Sequence, residues 1–137
     1  MGQRIDQFCE DLRVKLTKID DALNGLKANI DKKAQRADEE VRDHLADVQK
    51  HIDRDRGKVV AAQTDVKNWA AERKIATEDK IAEWRTKRET SRLQKRAEGA
   101  ERYAAAALDI ALAAVDDAEQ AALEAWLARQ DTDAMSS

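Results

Sequence analysis

His44 and His51 carry the most versatile chemistry in this chain, and they stand seven residues apart. Imidazole titrates near neutral pH and ligates transition metals. Asp47 lies between the two histidines, and Asp55 follows four residues after His51. On a helix this i, i+3, i+7, i+11 set lies along one side, with donor types that suit a transition metal. Two helical turns separate the histidines by about 10 Å along the axis, so one ion reaches both only with ligands from another helix. Glu39, Glu40, Asp43 and Asp47 surround His44 with carboxylates. A carboxylate-bridged pair of metals in a helical bundle uses Glu-x-x-His motifs on two helices. Here Glu40 precedes His44 by four, and no Glu-x-x-His occurs. The expectation is solvated residues flanking an apolar stripe, with no metal and no cofactor.

Cys9 is the single cysteine, so no intrachain disulfide forms. Its neighbours Glu10 and Asp11 disfavour a thiolate, and no histidine stands near it in sequence, so a catalytic thiol is not expected. Gly2, Gly25, Gly57 and Gly99 are isolated and build no phosphate-cradling loop. No nucleophile–base pair or metal set remains, and the chain is expected not to be an enzyme.

Trp69, Trp84 and Trp126 are large anchors in a chain that is only 4% aromatic, and core or interface positions are expected for them. Trp84 stands among Arg85, Lys87 and Arg88, with Arg92, Lys95 and Arg96 following. Residues 58–97 hold 11 basic and 6 acidic side chains, a local balance of +5; residues 98–137 hold 2 and 9, a balance of −7. Two opposite segments are expected to pack antiparallel and neutralise one another. The sharper reading is a weak anionic-lipid or nucleic-acid contact through Arg85, Lys87, Arg88, Arg92, Lys95 and Arg96.

The elements that must position these residues are helices. The 137 residues include no proline, 39% are charged, and Ala, Leu, Glu, Lys, Arg and Gln abound. Proline breaks helix interiors, and this composition favours helix in almost every window. No run alternates apolar and polar residues as a half-buried strand does. The class is all-α, with long amphipathic helices in an elongated antiparallel hairpin, three-helix bundle or coiled coil.

Apolar residues recur every eleven positions from Ile5 to Val59. One row is Phe8, Ile19, Ile30, Val41, Ile52; others are Leu12, Leu23, Ala34, Leu45 and Leu26, Ala37, Val48, Val59. Eleven residues in three turns keep a stripe nearly straight along a helix. The row bridges Asn24-Gly25 in phase, so Gly25 is read as tolerated inside a continuous helix. Gly57 and Gly99 are read as corners. The expectation is a single elongated domain with helices over about 4–55, 58–97 and 100–130 and a frayed tail at 131–137. In the third helix, Ala104, Ala111, Ala118 and Ala125 repeat by seven, as do Leu108, Val115 and Ala122.

The eleven-residue repeat over residues 5–59 resembles that of exchangeable apolipoproteins and related surface-coating helices. The resemblance implies reversible binding of a lipid or granule surface. Such helices want a broad apolar face edged by Lys and Arg, whereas this face is narrow, with Ala34 and Ala37 in it. The leading expectation is therefore a non-enzymatic structural or interaction protein, a homo-oligomer or the partner of another helical protein. Phe8, Ile19, Ile30, Val41, Ile52, Trp69, Trp84 and Trp126 would carry the contact. The segment MGQRIDQFCEDLR has no apolar signal core, and no apolar run approaches the ~20 residues that span a bilayer, so a cytoplasmic location is expected.

Overall fold

A computed structural model describes residues 2–32 and 36–136. Among them are four helices and no strand: α1 (Gly2–Lys32), α2 (Asp38–Ile75), α3 (Glu78–Thr86) and α4 (Thr90–Ser136). None of these helices is long and apolar enough to cross a membrane.

The corners fall elsewhere than the glycines. The helix expected over 4–55 is divided, with α1 ending at Lys32 and α2 beginning at Asp38. Gly57 lies inside α2 and Gly99 inside α4, and no described glycine has a positive φ. Neither serves as a left-handed helix cap. Gly25 lies inside α1, and α4 continues through the tail to Ser136. Charge at the helix ends explains the corners better. α1 ends on Lys32, and α2 opens on Asp38, Glu39 and Glu40 and closes on Arg73 and Lys74. α3 opens on Glu78 and Asp79 and closes on Arg85. Acids favour the exposed N–H groups of a first turn and bases the carbonyls of a last turn.

Side-chain and backbone caps complete the α3 corners. Thr77 Oγ1 accepts the Lys80 N–H at 3.3 Å. At the other end Arg88 takes a φ of 56°. The Glu89 N–H donates to the Trp84 carbonyl (2.8 Å) and the Arg88 N–H to that of Arg85 (3.2 Å). This is the Schellman arrangement, with arginine where glycine or asparagine is usual.

The chain divides into two compact units. One comprises residues 1–15 with 58–110, the other 16–57 with 111–137. In the second unit, Val41 and Val48 of α2 cluster with Leu123 and Leu127 of α4, with Leu45, Ile52 and Trp126 packed against them. In the first unit, Ala62, Trp84 and Ala106 are buried, and Trp69 stacks on Tyr103 at 5.9 Å between ring centroids. Gly99 is buried there: a Cβ on it would meet the Glu72 carboxylate and stand 3.3 Å from the Trp69 ring.

The half-buried positions of α1 repeat by seven, not eleven: Phe8, Leu12, Lys15, Ile19, Ala22, Leu26 and Asn29. In α2, Val41, Leu45, Val48, Ile52, Asp55, Val59 and Ala62 keep the same alternation of four and three. An eleven-residue row drifts off such a face, which is why Ile30 and Leu23 of the expected stripe are exposed; Ile5 and Leu16, eleven apart on the same helix, are exposed too. The inward place next to Ile30 goes to the polar Asn29, so the last turn of α1 turns its aliphatic side chain outward. Ala34 lies outside the described residues, and Ala37 is exposed. The expected row in α4 shifts too, with Ala118 and Ala125 exposed while Ala106, Val115, Leu123 and Leu127 are buried.

Within the first unit, residues of the basic segment 58–97 meet residues at the start of the acidic segment 98–137. Trp69 stacks on Tyr103 and Glu72 lies against Gly99, so later residues of α2 meet earlier residues of α4, as in an antiparallel pair. In the second unit, residues 123 and 127 pack against 41 and 48.

Candidate functional site

In the second unit α4 supplies the partners that the two histidines lack in sequence. His44 Nε2 lies 2.8 Å from Glu119 Oε1, both largely buried. The other ring nitrogen, Nδ1, is buried without a hydrogen-bond partner. His51 Nε2 lies 3.3 Å from Asp55 Oδ2 and 3.5 Å from Asp116 Oδ2. An open cavity of about 250 Å³ is lined by both histidines, Asp47, Val48, Asp116 and Glu119. Each histidine thus faces its own carboxylate on α4.

One nitrogen of His51 and one oxygen each of Asp55 and Asp116 lie within 4.8 Å of one another, a donor set of metal-binding type. The tautomer speaks for an electrostatic contact rather than for metal ligation. Arg54 Nη2 donates to His51 Nδ1, and arginine is always a donor, so Nδ1 accepts. The ring proton of neutral His51 therefore sits on Nε2, the nitrogen nearest the two carboxylates, where a metal would need a lone pair. Arg54 Nε lies 3.6 Å from Asp55 Oδ1 and places positive charge beside this cluster. Burial pushes the Asp116 carboxyl above the ordinary aspartate value, and the neighbouring His51 opposes that shift.

In the first unit a pocket of about 290 Å³ opens between α2, α3 and α4. Trp69, Glu72, Ile75 and Ala76 line one side, Trp84 another, and Arg92, Lys95 and Arg96 of α4 a third. Trp84 is 7% exposed, and the Arg92 guanidinium lies 5.7 Å from its ring centre. The basic run thus divides: Arg92, Lys95 and Arg96 face the pocket, whereas Arg85, Lys87 and Arg88 do not line it. Lys87 donates instead to Glu83 at 2.8 Å. That bond holds the Glu83 carboxyl below its usual range and raises Lys87.

The residues expected to carry an interaction separate in the same way. Val41 is 1% exposed, and Ile52 and Trp126 pack against its cluster. Trp84 is buried, Trp69 is half-buried against Tyr103, and Phe8 and Ile19 are half-buried. Of the eight, Ile30 alone is exposed, at 48%. Leu16 (52%) and Leu23 (48%) stand with it at seven-residue intervals on α1. Sequence reasoning missed Asp116 and Glu119, whose place opposite the histidines follows from the register of α4 on α2. It also missed that Leu16, Leu23 and Ile30 form the outward row, which becomes visible only once the inward heptad is known. Cys9 is exposed.

No protein-family model matches this chain, and comparison with curated proteins and with solved structures gives no match.

Proposed function

We propose that this is a non-enzymatic helical-bundle protein that self-associates, and that a second copy covers the outward row of α1. The observation that carries the reading is the exposure of Leu16, Leu23 and Ile30, each about half open to solvent. All three lie in the second unit. With Asp20 and Lys27 between them, they make the ridge Leu16, Asp20, Leu23, Lys27, Ile30, spaced alternately by four and three. That is the spacing of a coiled-coil seam.

The charges on this ridge select the partner and its direction. An antiparallel copy centred on Leu23 sets Leu16 against Ile30 and brings Asp20 within one residue of facing Lys27 of the second copy, twice over. A parallel copy sets Asp20 against Asp20 and Lys27 against Lys27, which is repulsive. The antiparallel pairing closes by a two-fold axis and leaves no open edge for further growth. Three half-exposed aliphatics a side make a small interface, so a dissociation constant on the order of 10–100 μM is expected.

Sedimentation equilibrium from about 1 μM to about 1 mM tests this, because those limits stand roughly ten-fold outside the expected range on either side. A mass rising from one chain to two, abolished by Leu23→Asp, supports it. A single-chain mass throughout contradicts it. If the chain then floats with anionic liposomes and Leu23→Asp prevents flotation, the row is a lipid-facing surface instead.

A further inference from the structure

We propose that the pocket between α2, α3 and α4 binds a small organic anion with a flat apolar body, of the aromatic carboxylate or sulfonate class. The pocket shares no residue with the self-association ridge, so the two can be tested separately.

The walls of the pocket are mostly apolar, with Trp69, Trp84, Ile75 and Ala76 among the residues that line it. Trp69 is fixed from behind by Tyr103, and its ring packs where Gly99 leaves room on α4. Trp84 is held by burial in α3, whose end the Thr77 cap and the Schellman turn define. The aromatic surface is therefore formed before any ligand arrives, which lowers the entropic cost of binding. At about 290 Å³ the space sits at the small end of ligand pockets, which run from about 300 to 1,000 Å³.

Charge sets the class of ligand. Arg92, Lys95 and Arg96 come from one turn of α4, and Glu72 is the single acidic group in the lining. The Glu72 carboxylate lies against Gly99. An anionic head is thus drawn to the α4 side and repelled from the α2 side, which fixes its orientation as well as its sign. Arg92 already sits over Trp84, and a guanidinium in that place can pair with a carboxylate or sulfonate while its face stays on the ring. A bare inorganic anion would gain the charges and waste the indoles. A neutral aromatic would gain the indoles alone.

The test is a titration of 2-naphthalenesulfonate into the full-length ¹⁵N-labelled chain, read at the three tryptophan indole N–H signals. Trp126→Phe identifies the signal that belongs to the other unit. The expected result is a saturable shift of the Trp69 and Trp84 signals with Trp126 unmoved. Arg92→Gln/Lys95→Gln/Arg96→Gln should weaken binding at least ten-fold, and Arg92→Gln alone at least three-fold, with unchanged helical circular dichroism. All three side chains are exposed, so the substitutions leave the core intact. Neutral 2-naphthol and inorganic phosphate should each bind at least five-fold more weakly than the sulfonate. The proposal is overturned by non-saturable shifts, by equal movement of all three indoles, or by undiminished affinity in the triple variant. Phosphate binding as tightly as the sulfonate would reduce the site to a plain basic patch. Displacement of the sulfonate by a lower concentration of short oligothymidylate would assign the pocket to nucleic acid.

Discussion

Lys15 Nζ donates to Asp109 Oδ1 at 2.7 Å, joining α1 to α4 within the first unit across 94 residues of sequence. Both side chains are largely buried, at 28% and 18% exposure. Lys15 occupies an inward position of the α1 heptad, where an aliphatic residue would be ordinary. The pair thus puts a directional polar contact between α1 and α4 where apolar packing would be usual.

A double-mutant cycle of Lys15→Met and Asp109→Asn measures that contact. A partly buried, hydrogen-bonded ion pair should give a coupling energy of about 1 kcal/mol by urea denaturation. Coupling indistinguishable from zero would mean that the pair is set by the packing around it.

Gly25 and Gly57 lie inside α1 and α2, and a Cβ on either meets nothing within 4 Å. Gly25→Ala and Gly57→Ala should each stabilise the chain by about 0.5–1 kcal/mol, the helix-propensity difference. Gly99→Ala should gain much less or lose, because its Cβ requires Glu72 and Trp69 to move. Thermal unfolding of the three variants tests whether Gly25 and Gly57 are mid-helix residues. A loss at Gly57 would restore a corner there.

Arg88 holds a φ of 56° at the α3–α4 turn, a region that costs a side-chain-bearing residue about 1 kcal/mol or more. Arg88→Gly should raise stability by about 0.5–1 kcal/mol, glycine's backbone entropy taking back part of the relief. The substitution lies outside the pocket lining, so it should leave ligand binding unchanged.

Asp116 sets a pH dependence. Its carboxyl is raised above the usual aspartate value of 3.8, chiefly by burial, with His51 pulling the other way. The other charged groups near it are Glu119 and Asp117 on its own helix and Asp55 on α2, each adding to the raising. A raised acid binds its proton more tightly folded than unfolded. Its ionisation therefore destabilises the fold as pH climbs from the unfolded value through the folded one. Asp116→Asn should then gain stability relative to the parent at pH ~7, and the gain should vanish near pH ~3. Urea midpoints at the two pH values measure this. A gain confined to the acidic side would contradict the sign.

Helix was legible nearly everywhere because propensity is a local property and proline is absent. The corners were legible too, though not where glycine drew attention. Lys32 before Asp38-Glu39-Glu40, and Arg73-Lys74 before Thr77-Glu78-Asp79, are charge reversals that end one helix and start the next. An eleven-residue row that runs in phase across residues 33–37 concealed the first of them. The spacing of Phe8, Ile19, Val41 and Ile52 is real, but the inward face of α1 and α2 follows the heptad, and Ile30 falls off it. The site residues split along the same line. The basic run and the tryptophans were visible as residue types, and Arg92, Lys95 and Arg96 do share a pocket with Trp69 and Trp84. Which half of the run faces the pocket depends on the turn at Arg88. The carboxylates Asp116 and Glu119 could not be matched to His51 and His44 without the register of α4, which no local signal encodes.

Sedimentation equilibrium of the parent chain and Leu23→Asp side by side decides whether the chain self-associates through the outward row of α1. With an expected dissociation constant on the order of 10–100 μM, loading concentrations up to about 1 mM pass well through the transition. The parent should rise from one chain to two with concentration, and the variant should remain a single chain throughout. A parent that stays at one chain, or a variant that dimerises as readily as the parent, would contradict self-association through this row.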